Sequence, residues 1–241
     1  GRSGSGYDIY AQRVDAAGVP QWTADGVTLC TATYNQVYPV VATGGGAPGG
    51  AGSGAIVAWQ DDRSGGTSAI YAQRVSAAGV PQWTWDGVAL CTALNVQELP
   101  RIVADGSSGA IVVWHDGRGG GAADVYAQRV SAAGVPQWTW DGVALCTAVN
   151  NQAYPVVVAD GGSGAIVAWY DQRSGAGSGG YAPRVRCTGV PHRTAAGGPA
   201  AAPALATRGG GIRAGATAAE AAIAANASRF GGNFVTWGGV L

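Results

Sequence analysis

The chain has no lysine and no methionine, only two histidines and two phenylalanines, and two glutamates beside twelve aspartates. Without lysine there is no Schiff-base nucleophile and no lysine general base. The two histidines, His115 and His192, stand alone, and the four cysteines form no C-x-x-C, so the spacings that bind zinc or attach haem are missing. We therefore expect no metal and no cofactor. No apolar stretch approaches the roughly 18 residues that suggest a membrane-spanning helix, so no membrane insertion is expected. An excess of either charge is also lacking: 14 arginines balance 14 acids. That balance argues against a nucleic-acid partner or an anionic-membrane clamp. Helical spacing is absent from the apolar residues of the first two thirds, where Gly and Pro recur too often for helices. The chain opens at Gly1 with neither Met nor a hydrophobic leader, which fits a processed product or an excised fragment. Forty-two glycines with no lysine or methionine suggest a GC-rich coding source.

What is present is repetition. Residues 71–93 (YAQRVSAAGVPQWTWDGVALCTA) recur unchanged at 126–148, and a diverged copy runs from Tyr10 to Ala32. A second unit ends in tryptophan: GAIVAWQDDR at Gly54–Arg63, GAIVVWHDGR at Gly109–Arg118 and GAIVAWYDQR at Gly164–Arg173. Trp59, Trp114 and Trp169 are 55 residues apart, whereas Tyr10 and Tyr71 are 61 apart. The extra six residues match the Gly-rich insertion around Gly44–Gly52. Repeats of this length are read as supersecondary units stacked side by side.

Within a repeat the pattern predicts four strands, A to D. Tyr154–Ala159 is an apolar, β-branched run closed by Asp160-Gly-Gly-Ser-Gly. Ala165–Trp169 is apolar on both faces, as a strand buried between two neighbouring sheets must be. Val125–Val130 is a more polar third strand. In the turn Ser131-Ala-Ala-Gly, Gly134 stands where a type I turn with a bulge needs positive φ. The fourth strand is expected through Trp138 and Trp140 to Thr147. Four short antiparallel strands per 40–55 residues predict an all-β fold, a β-propeller of about four blades in one domain. The repeats are placed at about 7–33 (C and D only), 36–93, 97–148 and 152–197. A loop at 198–213 and a closing segment at 214–241 follow. The fourth C–D pair decays: Pro183 replaces Gln128, Arg193 replaces Trp138, and Ala196 replaces Asp141. Ala222–Trp237 resembles Val157–Trp169, so the C-terminus would supply strands A and B to the N-terminal C–D pair and close the ring. An Ala-rich helix over Ala214–Ala227 is the competing reading.

G-A-I-V-A-W-x-D-x-R followed by D-I-Y-A-Q-R-V-x-A-A-G-V-P-x-W resembles the tandem repeats of large secreted bacterial proteins, which implies a β-propeller and a secreted or cell-surface location. The hairpin Asp15–Trp22 is similar to the Asp-box turn of sialidase-type propellers, although Ser76, Ser131 and Arg186 replace its Asp in later copies. The resemblance covers roughly residues 7–181 and carries little about activity.

Three groups are candidate sites. Asp61/Arg63, Asp116/Arg118 and Asp171/Arg173 fall in the B–C loops, expected on the same rim as the D–A connections holding Gln36, Gln97 and Gln152. Carboxylate, guanidinium and amide groups together suit hydroxyl-rich or anionic ligands; alternatively each Asp–Arg pair braces its own loop. Trp83/Trp85 and Trp138/Trp140 lie two apart, on one side of a strand if extended, either buried between blades or stacking on sugars. Cys30, Cys91 and Cys146 recur on strand D, where equivalent positions are too far apart to bridge, while Cys187 is out of register. Free, buried thiols are expected.

A catalytic site finds little material. A sialidase-like hydrolase would need acids, a Tyr and arginines converging without repetition. The expected function is an extracellular, non-catalytic binding or adhesion module, with a polysaccharide or cell-surface protein as partner. The alternatives are a structural or fibre subunit that self-associates through its terminal half-blades, and a glycan hydrolase.

Overall fold

A computed structural model describes residues 6–44, 54–174, 179–181 and 184–185, within the unit Gly1–His192. The expected loop at 198–213, the closing strands or helix at 214–241, Pro183, Cys187 and His192 lie outside the described residues.

All the regular elements among these residues are strands. β1 (Ile9–Ala11) and β2 (Val27–Cys30) form a two-stranded antiparallel sheet. β3 (Gln36–Thr43), β4 (Ala55–Asp61), β5 (Ala69–Val75) and β6 (Val88–Cys91) form a four-stranded antiparallel sheet in chain order. The next repeat gives the same sheet from β7 (Gln97–Ala104), β8 (Ala110–Asp116), β9 (Asp124–Val130) and β10 (Val143–Cys146). A last sheet holds β11 (Gln152–Ala159) and β12 (Ala165–Asp171), with β13 (Gly179–Tyr181) and β14 (Arg184–Val185) both paired to β12. The expected A–B–C–D strands are thus present in two complete repeats. Strand D is shorter than expected, starting at Val143 rather than at Trp138. The reason is local: Thr139-Trp-Asp-Gly142 is a turn, closed by Gly142 N–H donating to Thr139 O (2.9 Å), with Asp141 and Gly142 both at positive φ.

Each first strand carries a bulge. The register slips between Val37 and Val40, Glu98 and Arg101, and Ala153 and Val156. These steps contain Pro39, Pro100 and Pro155, which cannot donate to a ladder and are tolerated at such irregularities. The preceding Tyr38, Leu99 and Tyr154 take φ of 52°, 52° and 54°.

The C–D hairpin forms as its sequence predicts. Gly18, Gly79 and Gly134 have φ of 82°, 82° and 81°. Asp15 Oδ1 accepts the backbone N–H groups of Ala17 and Val19, both at 2.9 Å. Ser76 and Ser131 in its place each accept one, from Val80 (3.1 Å) and Val135 (3.2 Å). The shorter side chain keeps the turn with fewer bonds.

Alternation along the second strand explains how the sheets meet. Val57 and Trp59 face one way and pack with Ile9, Leu29 and Cys30 of the preceding sheet. Ile56 and Ala58 face the other way, against Ala110, Val112 and Trp114 of the following one. Ile111 and Val113 repeat the pattern with Ala165, Val167 and Trp169. A strand with both faces in a core needs apolar residues on both, and β4 is apolar from Ala55 to Trp59 and buried from Ile56 to Asp61, its polar Gln60 and Asp61 lying at the loop end. The first strands lie side by side, β3 beside β7 and β7 beside β11.

Candidate binding site

Register places the B–C loop and the D–A connection at one end of each sheet: Gln36 pairs with Asp61 and Ile70 with Cys91. Asp61, Asp116 and Asp171 are nevertheless buried, at 0%, 0% and 1% exposure. Their oxygens are used within the protein. Asp61 Oδ2 accepts the Trp59 indole N–H (2.7 Å), and the Arg63 guanidinium holds both oxygens through Nε (2.8 Å) and Nη2 (2.7 Å). Arg63 N–H adds a fourth bond at 2.9 Å. Asp116 has the same four partners, from Trp114 and Arg118, and Asp171 has them from Trp169 and Arg173.

The arginines also join neighbouring units. Arg63 Nη2 lies 3.3 Å from Cys30 Sγ of the preceding sheet and donates to Asp86 O at 2.8 Å, while its guanidinium stacks 3.7 Å over the Tyr71 ring. Arg118 repeats this with Cys91, Asp141 O and Tyr126. Burial alone would lower the Arg63 and Arg118 guanidinium pKa values, but bonding to Asp61 and Asp116 outweighs it and raises them. For the cysteines burial wins: Cys30 and Cys91 are pushed up to about 12 despite the adjacent arginines. Cys30, Cys91 and Cys146 are free thiols. Asp, Arg, Trp and Cys together form a clasp between successive sheets.

Gln36, Gln97 and Gln152 are buried too, at 1%, 0% and 0% exposure. Each amide nitrogen closes its own D–A turn, donating to Thr33 O, Leu94 O and Val149 O respectively. Each amide oxygen is buried without a hydrogen-bond partner among the described residues. The sequence candidates thus converge at the expected end of the sheets, on its inside.

The paired tryptophans separate, because their segment is a turn and not an extended strand. Trp83 is half-buried and donates its indole N–H to Ala132 O of the next repeat at 3.0 Å. Its ring covers Gly134, where a Cβ would sit 2.8 Å away. Trp22 makes the same contact one repeat earlier, with Ala77 O at 2.9 Å. Trp85 and Trp140 occupy the tip of the Thr-Trp-Asp-Gly turn and are 71% and 74% exposed.

A pocket of about 300 Å³ opens at the B–C end, lined by Tyr34, Asn35, Asp62, Thr67, Ser68 and Val96 with Gly65 and Gly66. It lies one residue from the sequence candidates. Tyr34, at φ 62°, lays its ring across Gly65, where a Cβ would be 3.0 Å from it. Gln60 Nε2 donates to Ser68 Oγ (3.0 Å), which donates to Asp62 Oδ1 (2.8 Å). Asn35 Oδ1 accepts Tyr7 N–H at 3.2 Å. Among the described residues no group of three His, Cys, Asp or Glu is placed to hold a metal ion.

No protein-family model, curated protein or solved structure matches this chain.

Most pocket residues escaped the sequence reading because it weighed what recurs. The signal was in the differences. Tyr34, Asn35, Asp62, Thr67 and Ser68 align with Asn95, Val96, Gly117, Ala122 and Ala123 in the next repeat, whose flanking Gln97, Asp116 and Arg118 match Gln36, Asp61 and Arg63.

Proposed function

We propose that this chain is an extracellular, non-catalytic binding module of bacterial origin, built as a propeller of about four blades, that recognises polysaccharide. The observation that carries the reading is the pair Trp85 and Trp140, two exposed indoles at equivalent turn tips one repeat apart. An indole supplies a flat apolar face for a sugar ring. Two equivalent platforms on a rigid frame raise avidity for a repeating polymer, since the second contact becomes intramolecular. The recurrent carboxylates Asp61, Asp116 and Asp171 support a non-catalytic role, because each already bonds to Trp and Arg. The test is a broad polysaccharide and cell-wall array with the wild-type chain and the Trp85→Ala/Trp140→Ala double variant. Binding that falls at least about tenfold in the variant supports the proposal, and no binding by the wild type to any polymer overturns it. Turnover of chromogenic glycosides would favour the hydrolase instead.

The second reading, a structural subunit, is favoured by the two-stranded sheet of β1 and β2. Its β1 pairs only with β2 among the described strands, so a strand from a second copy would extend it. Light scattering over a concentration series tests this: concentration-dependent growth supports a fibre unit, and a monomer at every concentration refutes it.

A further inference from the structure

We infer that the pocket of Tyr34, Asn35, Asp62 and Ser68 is a binding subsite for a single neutral, hydroxyl-rich ring such as a pyranose, distinct from the exposed indoles and independent of them. Its volume of about 300 Å³ lies at the lower end of small-ligand pockets, roughly 300–1,000 Å³. Its chemistry is mixed in the way such a ring requires. The phenol ring of Tyr34, 55% exposed, offers an apolar face and is held in place across Gly65.

The polar groups are fixed before any ligand arrives. Asp62 spends Oδ1 on Ser68, and Oδ2 accepts nothing among the described residues, leaving one acceptor with a set orientation. Asn35 spends its amide oxygen on Tyr7 N–H, so its Nδ2 remains a donor with no partner among the described residues. A sugar offers vicinal hydroxyls, one able to donate to Asp62 and one to accept from Asn35. Charge-assisted bonds of this kind are the strong ones. An anionic ligand is disfavoured, because Asp62 is the charged group of the lining and the nearby Arg63 is engaged by Asp61.

The repeat supplies its own safe substitutions. Tyr34 sits at positive φ, where its counterparts Asn95 and Asn150 have φ of 62° and 64°, so Tyr34→Asn removes the platform while keeping a residue suited to the turn. Asp62→Gln installs the residue found at Gln172 and removes the carboxylate. The experiment is saturation-transfer NMR and calorimetric titration of the full chain with a panel of neutral monosaccharides, beside glucuronate and inorganic phosphate. A member of the neutral panel should bind saturably in the millimolar range, and each substitution should weaken it by about tenfold or more with unchanged circular dichroism. Trp85→Ala/Trp140→Ala should leave this monosaccharide binding intact, so failure here and failure of the polysaccharide proposal are distinguishable. The inference is overturned if no neutral sugar binds, if phosphate or glucuronate binds more tightly, or if both folded substitutions leave affinity unchanged.

Discussion

If the recurrent Asp–Arg pairs are clasps and not ligand contacts, removing one carboxylate must destabilise the fold. In Asp116→Ala the Trp114 indole N–H loses its 2.6 Å acceptor in a site where Trp114 is 0% exposed. An orphaned buried donor costs about 1–3 kcal/mol. Arg118 simultaneously loses both side-chain bonds to Asp116. Breaking a buried ion pair costs about 3–5 kcal/mol. The Arg118 side chain is 23% exposed, so water relieves part of its charge and the two costs overlap. We expect about 3–4 kcal/mol in all, which for a chain of this size lowers the melting temperature by roughly 6–16 °C. Asp116→Asn keeps one acceptor oxygen and should lose less. Asp171→Ala should also cost less than Asp116→Ala, because Arg173 is 33% exposed. Urea unfolding followed by circular dichroism and tryptophan fluorescence measures all three. A loss under about 1 kcal/mol for Asp116→Ala, with wild-type denaturant slope, would refute the clasp. It would return Asp116 to the surface role its repeated rim position suggested.

The hairpin glycines separate backbone strain from packing. Gly18 and Gly134 share nearly the same φ, but a Cβ on Gly18 meets nothing within 4 Å whereas one on Gly134 lies 2.8 Å from the Trp83 ring. Gly18→Ala should cost about 1–2 kcal/mol for the left-handed conformation alone, and Gly134→Ala about 1–3 kcal/mol more as Trp83 is displaced; equal losses in thermal unfolding would contradict the inter-repeat contact. Burial would raise the Asp171 pKa, but hydrogen bonds from Arg173 and Trp169 hold it at about 2, below the ordinary 3.8. The unfolded chain therefore takes up this proton first, and the stability the group contributes is complete above about pH 5 and lost between roughly pH 4 and 2. That contribution is on the order of 2 kcal/mol, and Asp171→Asn should flatten this part of the acid-unfolding curve; an unchanged slope is the adverse result. Cys30 and Cys91, pushed up to about 12 by burial, should resist a thiol-reactive disulfide at pH 8 in the native state and react fully in guanidinium, as peptide mapping would show. Native labelling at the unfolded rate would refute their protonated, enclosed state.

The architecture was legible because each device is local in sequence. The apolar B strand, the Gly at the fourth position of the hairpin and the 55-residue recurrence each determine a piece of backbone without reference to distant residues. Strand D was misjudged because Trp138 and Trp140 look like alternating strand residues. The left-handed Asp141 and Gly142 reveal a turn, for which Asp-Gly is the signal in the sequence. Exposure was the least legible quantity. Asp61 and Arg63 are polar, and polarity in a loop suggests solvent, yet each finds its partners inside the protein. Burial of such groups depends on an indole donor two residues upstream and a thiol from another repeat, neither of which spacing alone assigns.

The recurrent Asp, Arg, Trp and Cys serve the joints between repeats, and this follows from how the joints are made. Arg63 reaches back to Cys30 of the preceding sheet, while Trp22 reaches forward to the turn at Ala77. Every unit must therefore present the same Cys and Trp to its neighbour and receive the same Asp, Arg and Gly. Stability becomes a sum over neighbour contacts, as in other repeat architectures. A substitution at a joint position is penalised twice, within its own unit and at the adjoining one. Among the described residues, a ligand would then find room where the joints do not reach: at the turn tips of Trp85 and Trp140, and in the B–C loop around Asp62, where the repeats have diverged. Asp62 illustrates the point beside Asp61. One carboxylate faces inward, fully bonded and unchanged at Asp116 and Asp171; the next faces the pocket, half-committed, and is replaced by Gly117 and Gln172 in the other copies.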